Sequence, residues 1–327
     1  MFRRPAQRRV PLTVAYLVRR LGSVALVLLG VSVMTFLLVQ FIPGDPARVV
    51  LGIQATDAAV AQLRERMGLD APLYVQFGRW LGGVLHGDFG TSLVTGQAIG
   101  SIVQPRIWPT TALALSALLI GLVIAVPLGI AAALRPGGKR DLLAGLVSQL
   151  GVSLPDFWLG VMLIYLFSER LRWLPSSGYQ SVQEGGVAGW AGHLLLPAVT
   201  AGVVSGAIMI RFVRGALLEV IRLDYVRTAR AKGLAARVVM ARHVLRNAAI
   251  PIVTIIGLQL ATLISGVVTV EIVYAWPGLG RLALESTLNR DYSILQAAVL
   301  LTAVIYSVSS FLIDLLYGAL DPRVRYG

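Results

Sequence analysis

The sequence has no cysteine, so no disulfide, thiolate metal site or thiol nucleophile contributes to its fold or chemistry. Charge is scarce. Asp, Glu, Lys and Arg make up 14% of the chain, against about a quarter in an ordinary soluble domain. Histidine is scarcer still: His86, His193 and His243 lie far apart, and no His-Glu-x-x-His pairs any two of them. No Gly-x-x-x-x-Gly-Lys-Ser/Thr loop is present to cradle a nucleoside triphosphate, and Gly137-Gly138-Lys139 reads only as a basic turn. No Gly-x-Ser-x-Gly elbow presents a serine nucleophile. A hydrolase, a metalloenzyme and a self-contained ATPase are each left without their chemistry. No internal repeat of the kind found in many secondary transporters is evident either.

What is abundant is apolar. Hydrophobic residues make up 56% of the 327 residues, and the mean hydropathy is +0.76. Six apolar stretches stand out, at residues 21–42, 110–134, 142–167, 194–213, 250–275 and 294–318. Each is long enough to cross a hydrocarbon layer of about 30 Å as a helix. The expected fold is therefore an all-α membrane protein with six transmembrane helices. The first stretch is too long for a signal peptide and is followed by no small-x-small cleavage site, so it reads as a retained span. Pro155, near the middle of the third stretch, predicts a kink. The chain divides into residues 1–42 (N-terminus and first span), a turn-rich outer segment 43–108 with a short helix from Thr56-Asp57 to Met67, and a core, 109–327, with five spans. Trp173, Tyr179 and Trp190 sit between the third and fourth spans, suited to a membrane interface.

The formal net charge of +13 invites a polyanion, but no basic patch interleaved with aromatics marks a nucleic-acid surface. Topology explains the charge instead. Of 29 Lys and Arg, the outer segments hold only Arg48, Arg64, Arg66, Arg79, Arg106, Arg170, Arg172, Arg281 and Arg290, interspersed with a matching set of acids. The remainder cluster before residue 21, at Arg135, Lys139 and Arg140, between Arg211 and Arg246, and at Arg323 and Arg325. This bias places both the N- and C-termini in the cytoplasm.

Three acids fall in or near the spans: Asp156, Glu271 and Asp314. Ionisable groups there are costly and are functional candidates. Each also has a structural reading: Asp156 at the Pro155 kink, Glu271 beside Arg281 or a loop amide, Asp314 near the inner end of the sixth span. Small residues at helical spacing, Gly121, Ala125 and Gly129, then Gly202, Ser205 and Gly206, point to close helix packing within the chain.

One stretch is unlike its surroundings. From about 216 to 248 the chain carries Arg222, Arg227, Arg230, Lys232, Arg237, Arg242 and Arg246. A helix over 223–232, a stop at Gly233, a second helical run over 235–247 and a new span opened by Pro251 are expected. Tyr225-Val-Arg-Thr-Ala-Arg-Ala-Lys-Gly233, with Arg242-His243-Val244-Leu245-Arg246-Asn247-Ala-Ala-Ile-Pro251, resembles the coupling loop of ABC importer permeases, in the dipeptide, oligopeptide and nickel branch. Where that family often has Glu-Ala-Ala, this chain has Arg227-Thr228-Ala229. Further matches are Pro43-Gly-Asp-Pro46, Gly68-Leu-Asp-Ala-Pro-Leu73 with Gln76 and Trp80, Gly87-Asp-Phe-Gly-Thr-Ser92, Glu271 through Trp276 to Gly280, and Asp314-Leu-Leu-Tyr317 with Leu320-Asp-Pro-Arg323.

The resemblance implies a type I ABC importer permease of the bacterial cytoplasmic (inner) membrane. It implies a second, related permease forming a heterodimer with this one, two ABC ATPase subunits beneath, an extracytoplasmic solute-binding protein, peptide as cargo and a lipid surround, with no nucleic acid. The chain itself would bind no cofactor and catalyse no reaction; ATP and Mg would be used by the partners. Asp224, Tyr225, Arg227, Thr228, Ala229, Arg230, Ala231, Lys232 and Gly233 would form the ATPase-coupling loop. Asp45, Asp70, Trp80, Asp88 and Trp276 would face the binding protein. A nickel chelate, glutathione or another small solute remains an alternative cargo, and an ATP-independent carrier a more distant one.

Overall fold

In a computed structural model, residues 14–41, 46–51, 56–92 and 94–320 are described. Asp45, the N-terminal Arg3, Arg4, Arg8 and Arg9, and the C-terminal Arg323 and Arg325 lie outside the described residues. Helix α1 (Val14–Gln40) is the first span, and α2 (Pro46–Leu51), α3 (Asp57–Met67) and α4 (Leu73–Leu85) build the segment after it. The expected short helix from Thr56 is α3, capped by the Thr56 hydroxyl, which accepts the Ala59 amide at 3.3 Å. The core follows as α5 (Ile99–Leu134), α6 (Lys139–Ser153), α7 (Asp156–Leu163), which runs on as a π-helix over Ile164–Arg170, and α8 (Val182–Ile221). After α9 (Asp224–Ala231) come α10 (Ala236–Val238), a π-helical stretch Val239–Val244, α11 (Leu245–Gly266), α12 (Val268–Val273), α13 (Leu279–Leu288) and α14 (Tyr292–Leu320). Among the described residues there is no strand, only an isolated bridge between Thr91 and Ala98.

Among the described residues five helices are each long and apolar enough to span a membrane, and α6 with α7 and its π-helical extension makes a sixth when the bent pair is taken as one span. That sixth is bent by 98°, much more than a kink. Leu154, held extended at ψ 126 by the proline after it, breaks the helix, and Pro155 starts the next half. Three boundaries also differ from expectation. α5 begins at Ile99, not Thr110, with Pro105 and Pro109 accommodated inside it, so the division at residue 108 falls within a helix. Pro251 lies inside α11 and opens nothing, and the expected second helical run joins the fifth span as one body over Ala236–Gly266. Beyond Trp276 the turn leads into α13, which has only ten residues and gave no span-length signal.

The core is built on α5 against α8. In lipid, burying apolar side chains gains little, so close backbone approach and interhelical hydrogen bonds carry association. At Gly121 a Cβ would lie 3.1 Å from the Gly206 nitrogen and 3.2 Å from the Gly202 carbonyl oxygen. At Gly202 it would lie 2.8 Å from the Ala117 carbonyl oxygen. α6 joins the pair through Ser148, whose hydroxyl donates to the Ala207 carbonyl at 2.6 Å, and through Arg214, which grips Asp141 with two nitrogens at 2.6 and 2.8 Å. α1 lies at the edge, with Leu26 and Met34 exposed at 71% and 74%, as a lipid-facing helix requires. Arg20 pairs with Asp314 and ties α1 to α14.

Gly202→Ala is expected to destabilise the bundle by about 1–3 kcal/mol, because a new methyl would meet the Ala117 carbonyl oxygen and the branched Cβ of Ile120, both held close to the α5 backbone. Gly145→Ala, with open space around it, should leave the melting temperature in detergent unchanged or slightly raised. Equal melting of the two variants would refute this account of the α5–α8 contact.

Candidate functional site

α9 is a short helix with two unlike faces. Val226 and Ala229, three residues apart, are buried against Val213, Leu217 and Val220 of α8 and Val239, Met240 and Val244 of the π-helical stretch. Ala133 at the end of α5 and Ala248 of α11 complete this cluster. Every other residue from Asp224 to Gly233 is exposed. Asp224 opens the helix, where a negative charge complements the dipole, and pairs with Arg227 at 3.5 Å. Thr228 donates to the Asp224 carbonyl at 3.0 Å, and the Tyr225 hydroxyl reaches back to the His243 carbonyl at 3.3 Å. Gly233, at φ +77, donates its amide to the Arg230 carbonyl at 2.9 Å and ends the helix as only glycine does without strain. Asp224, Arg227, Thr228 and Ala231 fall on the side opposite the buried pair, flanked by Arg230 and Lys232. The result is a basic, outward-facing helix whose back is locked to the ends of three spans.

At the other end of the bundle, Glu271 is 1% exposed and is the hub of a polar network. Its carboxylate accepts the Thr110 hydroxyl at 3.1 Å and the Arg281 amide at 2.7 Å. Thr110 in turn accepts the Leu279 amide at 2.8 Å. Glu271 thus fastens α12, the Trp276–Gly280 turn and α5 together. A Cβ at Gly278 would collide with the carboxylate, which accounts for the glycine there. Nearby, the Tyr274 hydroxyl bonds Thr200 at 2.8 Å and donates to the Gly160 carbonyl at 3.2 Å, joining α12, α8 and α7.

Trp276 requires a correction. It is 0% exposed, donates its indole N–H to the Pro109 carbonyl at 3.0 Å and meets Tyr179 edge-on at 4.9 Å. A side chain so enclosed cannot meet a docking protein. The other outer candidates have separate partners. Asp70 is exposed and pairs with Arg64 at 3.1 Å, and the exposed Asp88 accepts the Gly90 amide at 2.8 Å. Trp80 is half-buried, 5.9 Å from Phe36 and 6.0 Å from Phe77. Of the three intramembrane acids, Glu271 is held by Thr110, Asp314 pairs with Arg20 and also lines a cavity of about 210 Å³ between α11 and α14, and Asp156 lines a smaller one of about 80 Å³. His86 and His193 each bond a carbonyl four residues back in their own helices. No group of three metal-binding side chains occurs among the described residues. Sequence reasoning missed the Arg214–Asp141 grip and the bond from Ser92 to the buried Asp291, which join residues distant in the chain.

Residues 125–326 match the family model described as binding-protein-dependent transport system inner membrane component, and residues 13–114 match its N-terminal counterpart. The chain belongs to this family. It is a transmembrane permease subunit of a binding-protein-dependent ABC transporter in the bacterial inner membrane. It is 42% identical to a probable peptide ABC transporter permease of Sinorhizobium fredii over 95% of this chain and 99% of the relative. A glutathione transport system permease of Salmonella paratyphi A is 40% identical and a dipeptide transport system permease of Alkalihalophilus pseudofirmus 36% identical, with the same coverage. The inward-facing MetNI methionine ABC transporter superposes with a TM-score of 0.56 over 67% of this chain and 96% of that one, at 21% identity. That likeness supports the permease fold.

The Glu271 network gives a prediction for this permease. Glu271→Ala strands the Thr110 hydroxyl and the Arg281 amide, and is expected to cost about 3 kcal/mol or more. Glu271→Gln keeps one accepting oxygen and should cost less. Melting in detergent and proteolysis near Trp276 check the order; equal losses in the two variants would deny the carboxylate its role as acceptor.

Proposed function

We propose that this permease forms, with a second related permease, the path by which peptides enter the cell, and that α9 and its flanks couple the path to ATP hydrolysis in two partner subunits. The relatives named for peptide, dipeptide and glutathione support the cargo, since glutathione is itself a small peptide. The observation that carries the coupling role is the construction of α9. Its back is fixed by Val226 and Ala229, while its basic face, Arg227 with Arg230 and Lys232, is exposed, with the exposed Arg227–Asp224 pair its one ion pair among the described residues.

A push on that face moves α8 and the helix over Ala236–Gly266 as one body, because the buried cluster joins both. The π-helical stretch Val239–Val244 lies at the junction, where a wider turn accommodates displacement. In this reading α9 and both chain termini lie on the cytoplasmic side. A solute-binding protein docks at the opposite end, on the segment carrying Asp45, Asp70, Trp80 and Asp88. ATP and Mg act in the partner ATPases.

Arg227→Glu with Arg230→Glu is the test. Both side chains are exposed, so the variant should melt as the wild type does. In proteoliposomes with the partner subunits, ATP-dependent uptake of a labelled dipeptide should fall at least tenfold. Unchanged uptake would overturn the coupling role. Uptake of a nickel chelate, with none of dipeptide, would reassign the cargo and leave the coupling role standing.

A further inference from the structure

The break between α6 and α7 leaves an acid in the middle of the bundle. Asp156 is the first residue of α7, half-buried, and lines a cavity of about 80 Å³ with Ser205 of α8 and with Gln259 and Thr262 of α11. Among the described residues no hydrogen-bonding or ionic partner is found for the Asp156 carboxylate. Ser205 and Gln259 are 3% and 5% exposed, and the Ser205 hydroxyl donates to the Gln259 carbonyl oxygen at 3.2 Å. That bond leaves the Gln259 amide nitrogen without a partner among the described residues. Ser205 stands roughly 14 Å along α8 from Arg214 and roughly 17 Å from Leu194, at 1.5 Å per residue, so the cluster lies near the middle of the span.

Polar groups at this depth are costly unless they serve a path or a partner. α11 also carries Thr254, Thr262 and Ser265 on its exposed side beside the exposed Leu258, each hydroxyl donating to a carbonyl of its own helix, so this face mixes hydroxyl and apolar surface. A helix start at mid-membrane by itself favours an anion; the Asp156 carboxylate standing on it supplies the opposite charge and makes the cavity one for a cationic group.

The geometry points to a binding site for the amino terminus of the transported peptide, in which the Asp156 carboxylate receives the ammonium and the Gln259 amide donates to the first carbonyl. This rests on the reading of the cargo as peptide. The two groups offer an acceptor beside a donor, which matches an aminoacyl terminus. A metal cation would ask for several oxygens and no N–H donor. The cavity admits the head of a peptide and not its length, so it holds one end while the remainder extends along the exposed face of α11.

The absence of cysteine makes the test clean, because Thr262→Cys places a unique thiol in this chain at the cavity wall. In the complete transporter, its modification by a cationic and an anionic methanethiosulfonate is followed by mass spectrometry of this chain. The cationic-to-anionic rate ratio should be about tenfold higher with Asp156 present than in the Asp156→Asn background. A dipeptide with a free amino terminus should slow modification, and its N-acetyl derivative should not. A ratio unmoved by Asp156→Asn, a thiol closed to both reagents, or equal protection by both peptides would overturn the proposal. Dipeptide uptake by the unmodified transporter is read in parallel. Its absence would bring down the peptide reading itself, whereas uptake with an unmoved ratio would bring down this site alone.

Discussion

The contact between α5 and α8 is the constraint on which the rest of the permease depends. Two long helices meet there backbone to backbone, through glycines whose missing Cβ atoms are filled by the facing helix. A lipid surround offers no hydrophobic reward for association, so this approach, and the hydrogen bonds it permits, must hold the bundle together. α6 attaches to α8 by Ser148 and Asp141, and the break at Pro155 then turns α7 toward α12. The groups at the break are held at mid-bundle only because α8 is fixed against α5.

The two ends of the bundle are finished by different physics. At the α9 end an apolar cluster does the joining, with Val226 and Ala229 as the plug. Its outer face remains basic, and among the described residues its one ion pair is the exposed pair of Arg227 with Asp224. At the Trp276 end a buried carboxylate does the joining by satisfying backbone and hydroxyl donors drawn from α5 and from the turn into α13. An apolar cluster joins its helices by close packing without directional bonds, whereas a fully bonded carboxylate cannot move without leaving donors stranded.

Several elements were legible in the sequence because the signal was local. The apolar runs announce the spans by length alone, Thr56 and Gly68 bound α3 in the expected places, and Gly233 stops α9. Errors arose where a proline had two possible meanings. Pro155 breaks its helix and Pro251 does not, since α11 closes around the missing amide in the packed bundle. The family resemblance assigns Trp276 to the binding-protein face; its indole instead finds the Pro109 carbonyl, 167 residues away in sequence.

By itself the sequence determined that this is a helical membrane protein of several spans, and it marked the Gly233 stretch as set apart. Hydropathy and backbone propensity act over a few residues to a few turns, so both can be read along the chain. Only the tertiary structure decided what each of the three acids meets. Glu271 and Asp314 find partners on other helices, and Asp156 meets Ser205 and Gln259 across a cavity. A charge in a membrane is defined by what packs around it, and no spacing along one helix contains that information.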